Sequence, residues 1–508
     1  MKKNKKKKEH FRGPVSTLLV IMAIVSIISL VLSLIDFQGS KTYIGTESLE
    51  TSVIVVRNVL SIDGLKYLLG SAIENFVTFR PLAIMIISLI GIGICEKSGL
   101  LKAIFFKMKK IKFEIIIFMT LFLGIISSVI GEYSYMFLIP LIGLMYKYLD
   151  RSSTLGIMVV FVGITLGYGT GLIFNYEDYS LGVLTQAAAN LDVDPNYKYN
   201  LLSNIYIMVV STFIITFIAT LILNRFLVIK FPKKEIAEEE VLYVSKKGIN
   251  LSSLVAFIML SILAYTIIDI KLPGAGILLD KSQTTYVAKL FSETAPFREG
   301  IVIIITLIMM VCGFVYGKIS GNIKDSHEYS LGLSKNFENL GMMFVLMFFM
   351  SQLIAILDWT RIGDVISVRL VDFVSSMQIS GLPLILIFML IVIIMSILIP
   401  DLMTKWELLS PTVIPLFMRS NITPDFTQFI FKIADSIGKC LTPFFIYFII
   451  ELAFLEKYRV DDKKQISIFG TLKLMMPSIL LIGLSWILLI VIWYIVGIPI
   501  GVGTYSTI

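Results

Sequence analysis

Residues 382–420 read LPLILIFMLIVIIMSILIPDLMTKWELLSPTVIPLFMRS. Two apolar arms are separated by Pro400-Asp401, and Lys405 and Trp406 follow within a few residues. A charge beside a helix breaker in the middle of an apolar stretch marks backbone that turns around inside protein or beside water. The stretch therefore predicts a re-entrant hairpin rather than a single membrane crossing.

A second apolar stretch, 114–149, is interrupted in the same way at Gly131-Glu132, and it predicts a second hairpin. The other apolar runs have about 20 residues each, the length that spans a bilayer core of roughly 30 Å. We predict an all-α polytopic membrane protein with about nine transmembrane helices plus two re-entrant hairpins. The predicted spans are 15–36, 78–96, 154–174, 203–226, 250–270, 299–317, 336–357, 425–453 and 472–497.

The composition excludes several classes of protein. Of the 508 residues, 56% are apolar and 16% are charged, whereas soluble domains average about 45–50% and about 25%. A soluble globular protein, a disordered chain and a nucleic-acid binder are thereby excluded. The three cysteines have no CxxC spacing and there are two histidines, so we expect no metal site, no bound cofactor and no catalytic residue.

The distribution of loop charge predicts the orientation. Basic residues are concentrated in 1–14, 97–112, 230–247 and 457–464, and acidic residues in 175–202. Basic loops stay on the cytoplasmic side. These loops all satisfy the rule only if 114–149 re-enters instead of crossing. We therefore predict a multi-pass protein of the cell membrane with a cytoplasmic N-terminus.

The order of elements divides the chain into two similar halves. A basic N-terminus, 1–14, is followed by a first membrane half, 15–230, a cytoplasmic linker, 231–249, and a second membrane half, 250–508. Each half contains a span, a hairpin and two further spans, with opposite predicted polarity. Inverted repeats with broken helices near the midplane are the architecture of secondary transporters.

Charged side chains within the predicted membrane segments are the candidate functional residues, because each costs about 2.5–3.5 kcal/mol at the bilayer centre. Lys432 and Asp435 are three residues apart and share one helix face. Two interpretations remain open: an ion or substrate site at the hairpin tips and helix 425–453, or ion pairs that hold a hairpin to the bundle. The candidates are Glu132, Asp178, Asp401, Lys405, Glu407, Lys432, Asp435 and Lys439.

Two further features lie beside these charges. Trp406 is next to the second hairpin break, where it either stacks on a substrate ring or anchors the interface. Gly163 and Gly167 favour close helix packing. The segment Gly169-Thr170-Gly171 is consistent with an unwound piece of the span 154–174.

Several blocks of this sequence resemble the p-aminobenzoyl-glutamate transporter (AbgT) family. They occur in order from about residue 53 to 505, nearly the whole chain. The blocks are Arg57-Asn58-Val59-Leu60-Ser61 with Gly64-Leu65, Glu74-Asn75-Phe76, Phe79-Arg80-Pro81-Leu82, Gly91-Ile92-Gly93 with Glu96 and Gly99-Leu100-Leu101, Tyr316-Gly317, Gln352, Asp358-Trp359 with Gly363, Lys432-Ile433-Ala434-Asp435-Ser436, and Trp493-Tyr494-Ile495-Val496-Gly497-Ile498-Pro499-Ile500-Gly501.

The resemblance implies a nine-span, two-hairpin homodimer. It implies ion-coupled movement of p-aminobenzoyl-glutamate or export of related sulfonamide drugs. By position, Asp178, Trp406, Lys432 and Asp435 match family residues tied to transport, and Lys432 stands where arginine is expected. The chain departs from the family pattern at Gly131-Glu132-Tyr133, Gly171, Met403 and Ser436-Ile437-Gly438-Lys439-Cys440.

We therefore expect a secondary transporter of a small organic anion, driven by Na⁺ or H⁺, in a lipid bilayer. Lys405 and Lys432 would neutralise carboxylates, and Trp406 and Gly171 would contact the substrate together with Asp435. The coupling ion would be carried by a carboxylate from the set Asp435, Asp178, Asp401 and Glu132. The alternatives are a proton-driven exporter of sulfonamide-like drugs and, in another class, a membrane-embedded enzyme or a scaffold.

Overall fold

The structure, a computed structural model, describes residues 13–45, 49–191, 193–231, 244–338, 340–376, 379–459 and 466–508. These residues form twenty α-helices and one two-stranded sheet. The predicted all-α membrane architecture is confirmed apart from this sheet. Most of the basic segment 1–14 and of the linker 231–249 lies outside the described residues.

The first half of the chain consists of nine α-helices and a β-hairpin. The helices are α1 Pro14–Leu34, α2 Ile62–Val77, α3 Arg80–Lys97, α4 Leu100–Phe106, α5 Phe113–Ile126, α6 Tyr133–Tyr148, α7 Ser153–Leu166, α8 Tyr176–Asn190 and α9 Ile205–Phe226. The strands are β1 Gln38–Ile44 and β2 Leu49–Val55. Short 3₁₀ helices cover Lys107–Lys110, Ser127–Ile130 and Val228–Lys230.

The second half consists of eleven α-helices and a 3₁₀ turn at Lys335–Phe337. The helices are α10 Lys246–Ile267, α11 Tyr286–Phe291, α12 Pro296–Ser320, α13 Ser326–Ser334, α14 Gly341–Thr360, α15 Ile362–Ser376, α16 Gly381–Leu398, α17 Leu402–Arg419, α18 Pro424–Lys439, α19 Ile446–Lys457 and α20 Ile468–Val496.

Two predicted spans are not single helices. The span 154–174 is helical only to Leu166, because three closely spaced glycines follow and glycine disfavours helix. The span 425–453 is interrupted between Lys439 and Ile446, where Pro443 lacks the N–H that a helix needs. The other predicted spans each coincide with one long helix.

Nine helices within the described residues are long and apolar enough to cross a membrane. This number equals the predicted number of spans, but two of the nine helices are not among the predicted spans. The first arms of the two hairpins, Phe113–Ile130 and Gly381–Leu398, qualify by length and hydropathy. The two interrupted spans do not qualify. Both hairpins break where the sequence predicts, at Gly131-Glu132 and at Pro400-Asp401.

The packing repeats between the halves. Helix α5 packs against α7 and α9, and α16 packs against α18 and α20 in the same order. The returning arms cross between halves, since α17 packs against α8 and α6 packs against α19. The two interrupted helices and the two hairpins therefore share one core. The opposite polarity of the halves stays a prediction.

The β-hairpin, which the sequence analysis did not predict, docks on the second half. Its strands are antiparallel, with Gln38 opposite Val55. The Arg369 Nε on α15 donates to the Gln38 carbonyl at 2.6 Å. The Arg57 backbone N–H donates to the Thr360 carbonyl at 3.0 Å. The hairpin thus joins α1 to the end of α14 and to α15.

Candidate functional site

One ion cluster lies where the second hairpin meets α18. Lys405 of α17 forms an ion pair with Asp435 of α18, and the Lys439 Nζ lies 2.9 Å from the other carboxylate oxygen. We call Lys405, Asp435 and Lys439 the α17–α18 triad. All three side chains are buried. Asp435 and Lys439 are four residues apart on one helix face, which allows this contact.

Ser396, on the first arm of the same hairpin, forms hydrogen bonds with two members of the triad. Its hydroxyl accepts a hydrogen bond from the Lys405 Nζ at 2.9 Å and donates to the Asp435 Oδ1 at 2.7 Å. Buried charges persist only when their hydrogen-bonding capacity is used. Ser396 and the triad together therefore connect α16, α17 and α18 near the Pro400-Asp401 break.

A second buried ion pair joins α18 to the first half. Lys432 pairs with Asp178, which lies in the first turn of α8. Both side chains are buried, so Asp178 lies inside the protein rather than in an exposed loop. Lys432 and Asp435 each pair with a residue on another helix, not with each other.

Asp178 is held by the start of α8. The Asn175 Oδ1 accepts from the backbone N–H groups of Glu177 and Asp178 at 3.0 and 2.9 Å, and the Asp178 Oδ2 accepts from the Asn175 N–H at 3.0 Å. This reciprocal capping box places a carboxylate at the positive end of the helix dipole. The Asn175 Nδ2 also donates to the Ser128 carbonyl at 2.6 Å, which links α8 to the first hairpin tip.

Two acids lie at the first hairpin tip, Glu132 of the hairpin itself and Glu177 of α8. The Glu132 Oε2 accepts from the Tyr447 hydroxyl at 2.7 Å, and the Glu177 Oε1 accepts from the Tyr168 hydroxyl. Both carboxyl groups interact electrostatically with Lys439. The Lys439 Nζ lies 4.5 Å from the Tyr168 ring centroid, which is cation–π distance. Lys439 thus connects the two hairpins.

Trp406 is fully buried and has an aromatic partner inside the protein. Its ring stacks on Phe431 with centroids 4.4 Å apart and planes at 29°. Its Nε1 donates to the Thr185 Oγ1 at 3.0 Å, and that hydroxyl donates to the Gln428 Oε1 at 2.6 Å. In this conformation Phe431 occupies the ring face that was predicted to stack on substrate.

Gly171 and Asp401 occupy the breaks themselves. Gly171 is buried between α7 and α8, and a Cβ there would lie 3.0 Å from the Ser128 Oγ. Asp401 is exposed, and its Oδ2 accepts from the Thr404 N–H at 2.7 Å as the N-cap of α17. It lines a cavity of about 420 Å³ together with Asp358 and Asp364. Asp401 is thus exposed, unlike the ion-paired aspartates Asp178 and Asp435.

The sequence analysis did not assign several residues of this site. Of these, Asn175 has a local signal, because Asn175 and Asp178 have capping-box spacing. Ser396, Glu177 and Thr185 are polar residues whose partners are distant in the sequence, so no local pattern identifies them. Within the described part of the chain, no three His, Cys, Asp or Glu side chains are grouped so as to hold a metal ion.

Two hairpins and two interrupted helices that meet in one core are features found in membrane transporters. The chain matches the AbgT transporter family over residues 7–508, and it belongs to that family. It is therefore a membrane transporter that acts on a small molecule within a lipid bilayer.

Three relatives illustrate the similarity. The p-aminobenzoyl-glutamate transport protein of Escherichia coli (strain K12) is 28% identical over 459 residues, which cover 89% of this chain and 87% of the relative. The YdaH transporter of Alcanivorax borkumensis is 25% identical, covers 96% of this chain and 100% of its own, and superposes with a TM-score of 0.50. MtrF of Neisseria gonorrhoeae, described within a class of antimetabolite efflux pumps, is 26% identical over 98% of both chains with a TM-score of 0.50.

Proposed function

We propose that this protein is an ion-coupled secondary transporter of a small organic anion with an aromatic part, p-aminobenzoyl-glutamate or a related aromatic amino-acid conjugate. One observation carries the proposal. Two buried lysine–aspartate pairs, Lys405–Asp435 and Lys432–Asp178, lie where both hairpins and both interrupted helices meet. The E. coli relative described as a p-aminobenzoyl-glutamate transport protein supports this substrate class.

The ion pairs supply a mechanism that keeps charge balanced. An unpaired buried charge costs about 3–5 kcal/mol, so a lysine can leave its aspartate only for another anion. In the proposed cycle, substrate carboxylates replace Asp178 at Lys432 and Asp435 at Lys405. The freed Asp178 is neutralised by the coupling H⁺ or Na⁺, and Asp435 keeps Lys439 as its partner. Binding of substrate and binding of the coupling ion thereby depend on each other.

The aromatic part of the substrate would occupy the place of Phe431 against Trp406. The indole is held by Thr185, so its orientation persists when Phe431 moves. Gly171 lets the backbone pass close to the Ser128 hydroxyl, because a Cβ there would lie 3.0 Å from its Oγ, and the Gly171 backbone would contact the substrate in this proposal. Glu132 is the coupling carboxylate nearest the first hairpin tip in this proposal. Asp401, exposed at the second break, belongs to the entry route of the coupling ion.

A second candidate function is proton-driven export of sulfonamide-like drugs. The description of MtrF within antimetabolite efflux pumps favours it. The same ion pairs would serve either substrate, because both ligand classes contain an aromatic ring and an anionic or polar group. We further propose a homodimer in the cell membrane with a cytoplasmic N-terminus.

The test is transport by purified protein in proteoliposomes. We expect uptake of radiolabelled p-aminobenzoyl-glutamate that depends on an imposed Na⁺ or pH gradient, each varied separately. Lys432→Met should abolish this uptake, and Lys432→Arg should retain it because the charge is kept. Lys110→Met, which removes an exposed lysine, is the matched control and should leave uptake unchanged.

Two results would contradict the proposal. One is an absence of gradient-dependent uptake in the wild type together with sulfonamide movement, which would favour the exporter. The other is full uptake in Lys432→Met, which would leave the Lys432–Asp178 pair as a structural contact only.

A further inference from the structure

A cavity of about 330 Å³ lies beside the first hairpin tip, and the proposed mechanism does not use it. Its walls come from the 3₁₀ turn Ser127–Ile130, the segment 173–176, helix α11 and the first turns of α12. Ligand sites are commonly about 300–1,000 Å³ in volume and mostly apolar, with a few polar groups that orient the ligand. This cavity is at the small end of that range, which suits a ligand built on a single ring.

Aromatic rings form much of the wall of this cavity. Phe174 and Phe291 meet edge to face, with centroids 6.1 Å apart and planes at 88°. Aromatic rings prefer edge-to-face or offset contacts with other rings, so this wall favours a ligand that contains a ring. We call the cavity the aromatic vestibule; the side chains that define it are Phe174, Tyr176, Tyr286, Phe291, Phe297 and Arg298.

Arg298 is the charged side chain of the aromatic vestibule. Its guanidinium carbon lies 4.7 Å from the Tyr176 ring centroid, which is cation–π distance. Its Nη1 donates to the Phe291 carbonyl at 3.1 Å. A guanidinium has several N–H donors in a planar fork, and this bond uses one of them. The half-buried Arg298 side chain therefore keeps donors for an anionic ligand.

The charge of Arg298 is not balanced by an acid of the protein. In the part of the chain that the structure describes, no carboxylate forms an ion pair with it. Two acids of the loop before α12 are engaged elsewhere, since Asp269 pairs with Lys289 and Asp280 accepts from two hydroxyl groups. Arg298 also lies in the first turn of α12, where the helix dipole disfavours a positive charge. An anion bound beside Arg298 would offset both costs.

Tyr176 connects the aromatic vestibule with the buried ion pairs. It begins α8, and Asp178 follows it in the same turn. The Tyr176 ring lies 6.2 Å from the Tyr133 ring, and a Cβ at Gly131 would lie 2.7 Å from it. A ligand in the aromatic vestibule therefore contacts both the first hairpin tip and the turn that holds Asp178 against Lys432.

We propose that the aromatic vestibule is a second binding site, for an aromatic organic anion, and that the substrate occupies it on its route to or from the buried ion pairs. The second part of this inference rests on the proposed function. The ring of the ligand contacts the aromatic wall, and its anionic group accepts hydrogen bonds from Arg298. The guanidinium and the rings favour this occupant over an acyl chain of the membrane.

Fluorine NMR with 4-fluorobenzoate, a small aromatic anion, tests the site directly. The full-length protein is held in amphipol, so that no free detergent competes for the cavity. We expect saturable broadening of the probe signal. Arg298→Met should weaken the affinity at least about tenfold, because it removes hydrogen bonds to a charged group. Arg298→Lys should bind with intermediate affinity, because it keeps the charge and loses the planar fork. An unchanged affinity in Arg298→Met would overturn the proposal.

Arg369→Met is the matched control for Arg298→Met. Like Arg298, Arg369 contacts one ring and one carbonyl: its guanidinium carbon lies 5.9 Å from the Phe37 ring centroid, and its Nε donates to the Gln38 carbonyl. It lies on α15, which does not line the aromatic vestibule. Arg369→Met should keep the affinity for the probe. Equal weakening by the two substitutions would overturn the assignment of the site to Arg298.

Competition in the wild-type protein tests the class of ligand without any substitution. Benzoate should displace the probe roughly two- to tenfold better than cyclohexanecarboxylate, which has a similar size and the same charge but no aromatic ring. Octanoate, which imitates a lipid acyl chain, should be the weakest competitor. If octanoate is the strongest competitor, the cavity binds acyl chains and the proposal is wrong.

The liposome assay separates this inference from the proposed function. Arg298→Met should raise the half-saturating concentration of p-aminobenzoyl-glutamate, whereas Lys432→Met should abolish uptake and still bind 4-fluorobenzoate. An absence of uptake in the wild type, together with probe binding that depends on Arg298, contradicts the proposed function and leaves the anion site valid. Uptake in the wild type with an unaltered half-saturating concentration in Arg298→Met contradicts the place of the vestibule on the substrate route.

Discussion

Asp435 is the residue on which the buried charge balance depends. Its carboxylate is shared by the ammonium groups of Lys405 and Lys439, whereas among the described residues Asp178 pairs with Lys432. The members of the triad are therefore not equivalent. Removing the carboxylate leaves two cations together, and removing Lys405 leaves a balanced pair.

This asymmetry predicts an order of stability. Asp435→Asn should lower the free energy of unfolding by about 3–5 kcal/mol, because it leaves buried charge without a partner. Lys405→Met should cost less, since Asp435 keeps Lys439. The double variant should be less stable than Lys405→Met alone, because Lys439 then has no carboxylate in the triad. Thermal unfolding in detergent measures the order, and equal losses for the two single variants would contradict the triad.

Trp406 permits a separation of packing from ligand binding. Trp406→Phe keeps a ring against Phe431 and loses the bond to Thr185, which is worth about 1 kcal/mol. Trp406→Ala should cost about 3–5 kcal/mol because it leaves a cavity in a closed core. We expect Trp406→Phe to fold and to weaken the apparent substrate affinity in the liposome assay.

Trp486→Phe is the matched control for this change. Trp486 is also fully buried, and its Nε1 donates to the Leu166 carbonyl at 3.1 Å, but it lies on α20 and its ring contacts Phe429 rather than Phe431. The two variants should lose similar stability. If Trp486→Phe lowers the affinity as much as Trp406→Phe does, Trp406 has only a packing role.

At the scale of elements, local chemistry was enough to predict both hairpin breaks. Of the two interrupted spans, the sequence indicated the break in 154–174 but not the break in 425–453. Gly131-Glu132 and Pro400-Asp401 each combine a helix breaker with a charge inside an apolar stretch, and the chain turns at both. The interruption after Lys439 depends on Pro443. Pro443 lies within a continuous apolar run, so the hydropathy pattern indicated one unbroken span. Hydropathy reports burial in membrane or protein and does not report helix continuity.

The first hairpin turn requires glycine. Gly131 has φ +57°, and a Cβ there would lie 2.7 Å from the Tyr176 ring and 2.8 Å from the Glu177 Oε1. Gly131→Ala should therefore lower stability by more than the roughly 1–2 kcal/mol of left-handed backbone strain. It should also reduce substrate flux, because Tyr176 and Glu177 must move. Unfolding temperature and flux are the measurements.

Gly321→Ala is the control that measures the cost of left-handed backbone strain without new side-chain contacts. Gly321 has φ +77° after α12, and a Cβ there would meet no atom within 4 Å. It should show the strain alone and leave flux unchanged. Equal effects of the two substitutions would mean that the contacts with Tyr176 and Glu177 are unimportant.

At the scale of the whole molecule, the sequence predicted the fold class, both hairpins and the ion-pair residues, because these have strong hydropathy and charge signals. The partners could not be predicted, because Lys432 meets Asp178 across 254 residues. The β-hairpin was also missed. Its strands lie between apolar helices, so the β-branched residues Thr51, Val53, Ile54 and Val55 were not recognised as a strand signal.

The predicted orientation is open to labelling with an impermeant thiol reagent in intact cells. The three native cysteines are buried, so background labelling should be low. All three test positions are exposed on the folded protein. Lys110→Cys should be protected because 97–112 is predicted to be cytoplasmic. Ser282→Cys and Ile508→Cys should react because the predicted spans put both positions outside. Lysis should make Lys110→Cys reactive, which controls for local access. Labelling of Lys110→Cys in intact cells would contradict the cytoplasmic assignment of 97–112.

The docking of the β-hairpin on α15 has a consequence for biosynthesis. Arg369 follows Gln38 by 331 residues. Ribosomes add about 5–20 residues per second, so Arg369 is synthesised roughly 15–70 s after β1. During that interval a two-stranded ribbon has open edges on both sides, and open edges pair with other chains. The speed of translation thus determines how long each nascent molecule remains prone to aggregation at this segment.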